Sequence, residues 1–490
     1  GGATGWLLTR DSGPKAGSTV WSLGIGLAPD TRAVAHQNTL FIAADGTDDK
    51  DSPNSGQLIS IDRSTSKLNW RNPLGGPNVS EPVVAADGEH VFVHSWVKTD
   101  DSSAPGDYHD VVYAFDKAGI VSWSAEFDTF GLQIPETVDK VLVVAVAPPT
   151  DSSSDTGKGQ VVGYDAATGE KKWTWPLPSE APLPNVPVIV GDLVVLATIT
   201  ESSSDPGIVT ALRTSDGSVA WQWRTGDDGW WLTAPAAANG RVFLRAAYTD
   251  GGEYYAKERT LTALSLTDVD GGTPKQLWHT PNLPAGYSHQ LSVDAKSDTV
   301  FTLTEGNERY GTKTDPWVKA YDGARGALKW QFKPKGWYLS ELVCDERLAY
   351  FAAWPSDEQA RVVDPSASPT PTATPSGEPV MTGYVYAIDI VTGTVKWTHE
   401  TGGHGAVTTP QLVKGVLCVG VSAGGPAHTS GKAIALDAED GHELWTQDLQ
   451  GQDVSGPIVA GDRFHLVASP DAKSREATGK GDATAYEFQP

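Results

Sequence analysis

At 490 residues the chain exceeds what one hydrophobic core can hold, since single cores stop growing at roughly 250–300 residues; several domains, or a repeat that adds small cores side by side, must carry it. A composition that is 39% hydrophobic and 20% charged excludes a disordered chain, and no apolar run approaches the roughly 18 residues of a membrane span. Thirty-seven basic residues against 61 acidic ones, a net charge of -24, argue against nucleic acid and anionic membrane surfaces as partners and read as solubility.

The chain opens at Gly1-Gly2 with no basic-apolar leader, as expected of a mature or trimmed product. Thr19-Val20-Trp21-Ser22-Leu23 reads as a lone outer strand. A pattern then recurs: an apolar strand, Asp, a Thr-Gly or Asp-Gly turn, and an apolar strand with Trp. It runs from 58–62 to Trp70, 112–116 to Trp123, 162–165 to Trp173 and 209–212 to Trp221. It continues from 261–264 to Trp278, 318–322 to Trp330, 385–389 to Trp397 and 433–437 to Trp445. Successive Trp spacings are 53, 50, 48, 57, 52, 67 and 48. Ahead of each copy stands a hairpin, as at 82–93 around Asp87-Gly88 and 235–244 around Asn239-Gly240, both strong turn signals.

Each unit is thus four short antiparallel strands, A to D, and about 50 residues per such unit predicts a β-propeller. Helical repeats are excluded, because the apolar pattern alternates and Gly and Pro interrupt every unit. At the C-terminus, 456–460 begins another hairpin and 483–488 resembles strand C, with no Trp after it. The lone strand at 19–23 would supply the missing D and close the ring, removing both free edges. The expectation is an all-β fold: one propeller domain over 1–490 with nine blades, eight being the alternative. Residues 365–378, rich in Ser, Thr and Pro, form a low-complexity flexible insertion in the seventh unit and account for the 67-residue spacing.

A Trp at one place in every unit is structural: it can wedge between neighbouring blades and bury a large apolar area. These are Trp21, Trp70, Trp123, Trp173, Trp221, Trp278, Trp330, Trp397 and Trp445, nine of the 18. The motif, as in Val161-Val162-Gly163-Tyr164-Asp165-Ala166-Ala167-Thr168-Gly169-Glu170-Lys171-Lys172-Trp173, resembles the Trp-docked repeats of the pyrroloquinoline-quinone-like propeller superfamily. That superfamily includes quinoprotein alcohol dehydrogenases, the outer-membrane assembly lipoprotein of bacteria and extracellular sensor domains of actinobacterial kinases. The resemblance covers nearly the whole chain and is specific for fold, not for activity.

A quinoprotein dehydrogenase needs a quinone site on the axis, and the large alcohol dehydrogenases of the group carry adjacent cysteines there. This chain has only Cys344 and Cys418, in different repeats, and they read as two thiols. Gly-x-Ser-x-Gly, His-Glu-x-x-His and phosphate-loop motifs are missing. His90 and His94 share one face of a strand but lie roughly 13 Å apart, too far for one metal. Asp48, Asp49, Asp51 and Asn54 make an oxygen-rich loop of a kind that can hold calcium, yet without the ordered acidic spacing, so a solvated turn is the reading. No catalytic residue, metal or cofactor is assigned; calcium and pyrroloquinoline quinone are the alternatives.

In a propeller the A–B and C–D turns fall on one face and the B–C and D–A loops on the other. Here the former are short and stereotyped, and length varies in the latter, which marks the loop-rich face for recognition. The D–A loops enter the innermost strands, and four in succession carry candidate ligand-binding residues: Trp230 and Trp231, then Tyr287 and His289, then Trp337 and Tyr338, then His404. Such a cluster suits stacking on a sugar ring, a peptide side chain or a planar cofactor, or else it plugs the channel. Trp230, Trp231 and Trp337 are Trp residues that the fold does not require. Glu81, Glu136 and Glu341 recur near the start of strand A. The Ser/Thr/Pro tract is typical of cell-surface and secreted stalks. The reading is an extracytoplasmic, non-catalytic propeller that binds a protein or glycan partner, without a membrane span of its own. The alternatives are a quinone-dependent dehydrogenase and the sensor domain of a receptor kinase.

Overall fold

The computed structural model describes residues 17–24, 33–46, 56–76, 78–98, 108–129, 132–134, 139–148, 159–178, 183–199, 206–225, 230–248, 258–281, 291–309, 312–355, 382–403, 405–423, 430–470 and 483–490. Among them no helix occurs, so none is long and apolar enough to cross a membrane. The strands form nine antiparallel four-stranded blades, not eight. Blade 1 is typical: Ala33–His36, Thr39–Ala44, Gln57–Asp62 and Lys67–Pro73 are strands A to D. Strands B and C of each blade are the most apolar and are buried on both faces, because a neighbouring blade covers each side.

The ring closes as the terminal half-patterns imply. Strand D of blade 9 is Thr19–Gly24 from the N-terminus, and strands A to C are Asp453–Ala460, Arg463–Ser469 and Thr484–Phe488. The join pairs Trp21 with Glu487, Leu23 with Ala485 and Gly24 with Thr484.

The repeated Asp builds the C–D turn. Its carboxylate accepts from backbone N–H groups two and three residues on, as Asp165 does from Ala167 and Thr168 and Asp389 from Val391 and Thr392. Both carboxyls lie below their ordinary range: the Thr392 amide is the main cause at Asp389, and at Asp165 it is the Lys172 ammonium, followed by the Thr168 amide. The pairing between strands C and D then slips by one residue just ahead of the Trp in all nine blades. A bulge of this kind re-aims a side chain, and the Trp lands against the next blade. Trp173, Trp278, Trp330, Trp397 and Trp445 are buried, with Trp21 and Trp221; Trp70 and Trp123 are half-buried.

Six of these indoles donate Nε1–H to a carbonyl in the next blade's C–D turn, at 2.7–3.0 Å: Trp70 to Lys117, Trp123 to Ala166, Trp173 to Thr214, Trp278 to Gly323, Trp330 to Ile390 and Trp397 to Ala438. The turn glycine lies flat on the ring. At Gly393, with φ +70°, a Cβ would meet Trp330 at 2.5 Å.

One C–D turn departs from the expected stereotype. In blade 5 the ladder runs on past the usual turn, with Val269 opposite Pro274 and Asp270 opposite Thr273, so strand C is Glu258–Asp270. Ser265 stands at the Asp position, and its hydroxyl accepts from the Thr267 and Asp268 N–H groups at 3.2 and 2.8 Å, yet the pairing resumes beyond it. Its tip folds over the outer edge of blade 4, where the Gln222 N–H donates to the Gly272 carbonyl at 2.9 Å. Leu266 and Val269 pack with Trp221, the most buried of the nine.

Candidate functional site

The innermost strand determines what faces the axis, and in several blades it is broken in one way. Ser80, Thr233, Ser340 and Thr408 stand at the break in blades 2, 5, 7 and 8. Each N–H donates to a strand B carbonyl, of His94, Arg245, Ala352 and Gly420 respectively, at 2.9 Å. The N–H of that same strand B residue donates back to the Ser or Thr hydroxyl, at 2.8–3.3 Å. One side chain thus replaces a backbone acceptor, and the next residue swings out of the ladder. In blade 4 the Asn185 N–H also donates to the Ala197 carbonyl, at 2.9 Å, while its side-chain Nδ2 donates to the Leu232 carbonyl of blade 5 at 2.8 Å. The displaced residues Glu81, Val186, Ala234 and Glu341 are exposed. This accounts for Glu81 and Glu341 together; Glu136 lies outside the described residues.

The upper end of strand A is tied to the preceding blade. Asp45 Oδ1 accepts from the Val79 N–H at 2.8 Å, Ser422 Oγ from Val454 at 3.0 Å and Glu305 Oε1 from Leu339 at 3.5 Å. Burial raises the Glu305 carboxyl above its ordinary pKa, and the Leu339 amide opposes that only in part.

On this face blades 6 and 7 bring aromatics together. Tyr338 opens strand A of blade 7 opposite Trp354 at the end of strand B, with ring centroids 5.9 Å apart and planes at 36°. Tyr338 is 38% exposed. Next to them Lys335 Nζ lies 5.5 Å over the Tyr384 ring, and in blade 6 Lys319 Nζ lies 5.9 Å from the Trp317 ring. The blade 6 B–C loop adds a small hairpin of its own, Asn307–Arg309 with Thr312–Thr314.

Trp337 corrects an expectation: the fold does use it. It is 8% exposed, its carbonyl accepts from the Gly306 N–H at 2.8 Å, and a Cβ on Gly306 would meet its ring at 2.7 Å. It pins the base of the blade 6 hairpin and supports its neighbour Tyr338 from below. Trp230 and Trp231 lie in strand Trp230–Leu232, whose backbone pairs them with Tyr248 and Ala247; their side chains are not among those described. Tyr287, His289 and His404, with Asp48, Asp49 and Asp51, lie outside the described residues.

Trp354, Tyr384, Trp317 and Glu305 escape the sequence reading. The available signal is Trp354 itself, a Trp outside the repeat that closes strand B just ahead of the long insertion. Both cysteines are free thiols, and burial raises both pKa values. Among the described residues, Asp437, Asp440 and His442 come close enough to share a metal, on the opposite face. There Asp440 already bonds the N–H and Nδ1 of His442.

Comparison with known proteins places this geometry. A search of curated proteins finds no match. Among solved structures the chain is similar to a eukaryotic initiation factor, at 11% identity, covering 89% of this chain and 90% of that one with a TM-score of 0.52. It is also similar to BamB of Moraxella catarrhalis, at 14% identity, 86% and 95% coverage and a TM-score of 0.47. A third similar structure is the quinohemoprotein alcohol dehydrogenase ADHIIG of Pseudomonas putida HK5, at 12% identity, 96% and 76% coverage and a TM-score of 0.46. At such identities the likeness speaks for the fold alone. The family described as outer membrane protein assembly factor BamB matches residues 10–126, 97–222, 158–313 and 381–487. With most of its length matched, blade after blade, the chain belongs to that family of pyrroloquinoline-quinone-like β-propellers.

Proposed function

We propose that the chain is an extracytoplasmic, non-catalytic propeller that holds a protein partner on its loop-rich face. The observation that carries this is the Tyr338–Trp354 pair: a partly exposed aromatic platform, propped by buried Trp337, on the face where loop length varies. Rigid aromatics offer large contact area at small entropic cost, which is why they anchor protein interfaces. Flanking Lys335 and Lys319 and half-buried Glu305 supply polar groups around it. The family's description as an assembly factor supports a role among other proteins, and the Ser/Thr/Pro tract supports a location outside the cytoplasm. Trp230 and Trp231, at the start of strand A of blade 5, and Tyr287, His289 and His404, between strands D and A in the sequence, extend the surface in this reading.

The test is capture. Immobilised protein and a Tyr338→Ala/Trp354→Ala double variant are exposed to an envelope extract of the source organism, and bound proteins are identified. One protein retained by the native chain and lost by the variant supports the reading; equal retention by both overturns it. Reduction of a dye by alcohols once pyrroloquinoline quinone and calcium are added would replace it with an enzyme.

A further inference from the structure

The ring has one joint that no peptide bond crosses. Among the described residues, the C-terminal strands of blade 9 are held to the N-terminal part of the chain by residues 17–24 and by the face of blade 1. That face is chemically unlike the other blade interfaces. The position occupied elsewhere by Lys117, Ala166, Thr214, Gly323, Ile390 and Ala438, whose carbonyls receive a Trp Nε1–H, is here Arg63. The corresponding indole, Trp21, finds no hydrogen-bond partner for Nε1 among the described residues, as is also true of Trp221 and Trp445.

The Arg63 side chain instead crosses the seam. One terminal nitrogen donates to the Ala460 carbonyl of blade 9 at 2.6 Å, and the other to Gln37 of its own blade at 2.8 Å. Its Nε–H donates to His465 Nε2 at 3.0 Å, and Nε lies 3.5 Å from Glu487 Oε2. Glu487 Oε2 is 2.7 Å from His465 Nε2, and Glu487 Oε1 is 3.3 Å from Arg463. His465 is 2% exposed and Glu487 4%.

We propose that Arg63, His465 and Glu487 form an acid-released clasp that holds the C-terminal strands of the ring against blade 1. His465 Nε2 is shared: in the neutral ring it can accept there from the Arg63 Nε–H or donate there to Glu487, whereas the doubly protonated ring can only donate. A second proton on the ring removes the Nε2 lone pair that accepts from Arg63 and sets two cations side by side. Blade 9 also brings Asp462, which faces Arg463 Nε at 3.7 Å and not the imidazole.

The direction follows. Burial, helped by the Arg63 charge and opposed by Glu487, holds His465 below its ordinary value of 6.5. The clasp is therefore at full strength above pH 6.5 and weakens as the pH falls below it, since the opened seam takes up the proton first. The Glu487 carboxyl is also held low, by His465 and the two arginines against its own burial, and it adds loss in the same direction at lower pH.

Hydrogen–deuterium exchange on the full chain tests this, read in segments 19–24 and 484–488 and in the control strand Ile208–Arg213, at pH 7.5 and 5.5 after correction for intrinsic rates. The seam should lose up to about tenfold protection on acidification, the most that one proton gives over one pH unit below 6.5, while the control strand does not. His465→Gln keeps a donor for Glu487 without titrating and should abolish the difference. Arg63→Met should expose the seam at both pH values. Arg63→Lys, which keeps the charge but cannot make both carbonyl bonds, should do so more mildly if the first variant fails to fold. Equal pH responses of native and His465→Gln chains, parallel loss at seam and control, or unchanged seam protection in Arg63→Lys would each overturn the clasp.

Discussion

The indole Nε1 of Trp330 donates to the carbonyl of Ile390, 2.7 Å away, 60 residues further on and one blade over. Its ring lies flat on Gly393 of the same turn. One side chain thereby supplies the apolar wedge, the hydrogen bond and the register between two blades. Trp330→Ala, a large-to-small change at a site 7% exposed, should cost about 3–5 kcal/mol. Gly393→Ala adds a Cβ at positive φ against the indole and should cost at least about 1–2 kcal/mol from the backbone alone. Chemical denaturation of the variants checks both.

Ser340 is the clearest of the inner-strand breaks. Its hydroxyl accepts from the buried Ala352 N–H at 2.9 Å and donates to the Glu341 carbonyl at 2.7 Å. Ser340→Ala leaves that N–H without an acceptor and should cost about 1–3 kcal/mol. Ser340→Thr should restore most of it, as Thr233 and Thr408 do the same work in blades 5 and 8. Urea midpoints of the two variants decide between a hydrogen-bonding and a packing role.

Trp337 and its neighbour Tyr338 should part in their effects. Trp337→Ala should destabilise by about 3–5 kcal/mol, because the ring is buried against Gly306. Tyr338→Ala should leave the thermal midpoint within about 1 °C and still weaken partner capture. A Tyr338 variant that unfolds would show that the platform belongs to the core.

Glu305 gives a pH signature in the direction opposite to His465. Its raised pKa means that the folded state disfavours the charge, so its stabilising contribution is complete below about pH 4.5 and is lost as the pH rises through the folded value. Glu305→Gln keeps an acceptor for Leu339 and stays neutral. The variant should match the native chain at pH 4 and exceed it slightly at pH 8, by about 1 °C in thermal midpoint. Scanning calorimetry across that range reads the sign.

The outer hairpin of blade 5 predicts a local effect. Replacing 265–276 by an Asp-led turn like that at Asp389 should uncover Trp221 and the Gln222 edge. Exchange in strand Val219–Arg224 should rise while strand Lys432–Asp437 of blade 8 stays protected.

Blade number and closure are legible in the sequence because every blade repeats a bulge and a Trp, and six of the nine add an Asp-led turn. Local chemistry repeated nine times needs no long-range information. The rim is different. Tyr338 and Trp354 meet across a strand pair whose register is set by the break at Ser340, and the sequence marks that break only as one more Ser before an apolar run. Trp337 misleads because it lies outside the Trp repeat, yet its burial comes from a glycine, Gly306, in the preceding blade. Arg63 is hidden for the same reason: it looks like an ordinary turn residue until the two chain ends are brought together.

Where the inner strand breaks, the ladder bonds are made by the Ser, Thr or Asn before the apex and by backbone groups, and the apex side chain takes no part in those bonds. Glu81, Val186, Ala234 and Glu341 occupy that apex with an acid, a branched alkyl group, a methyl and an acid. The wall of the lumen is therefore a set of sockets whose occupants can be exchanged without rebuilding the blades, and its charge and polarity can drift or be reassigned while the scaffold stays as it is.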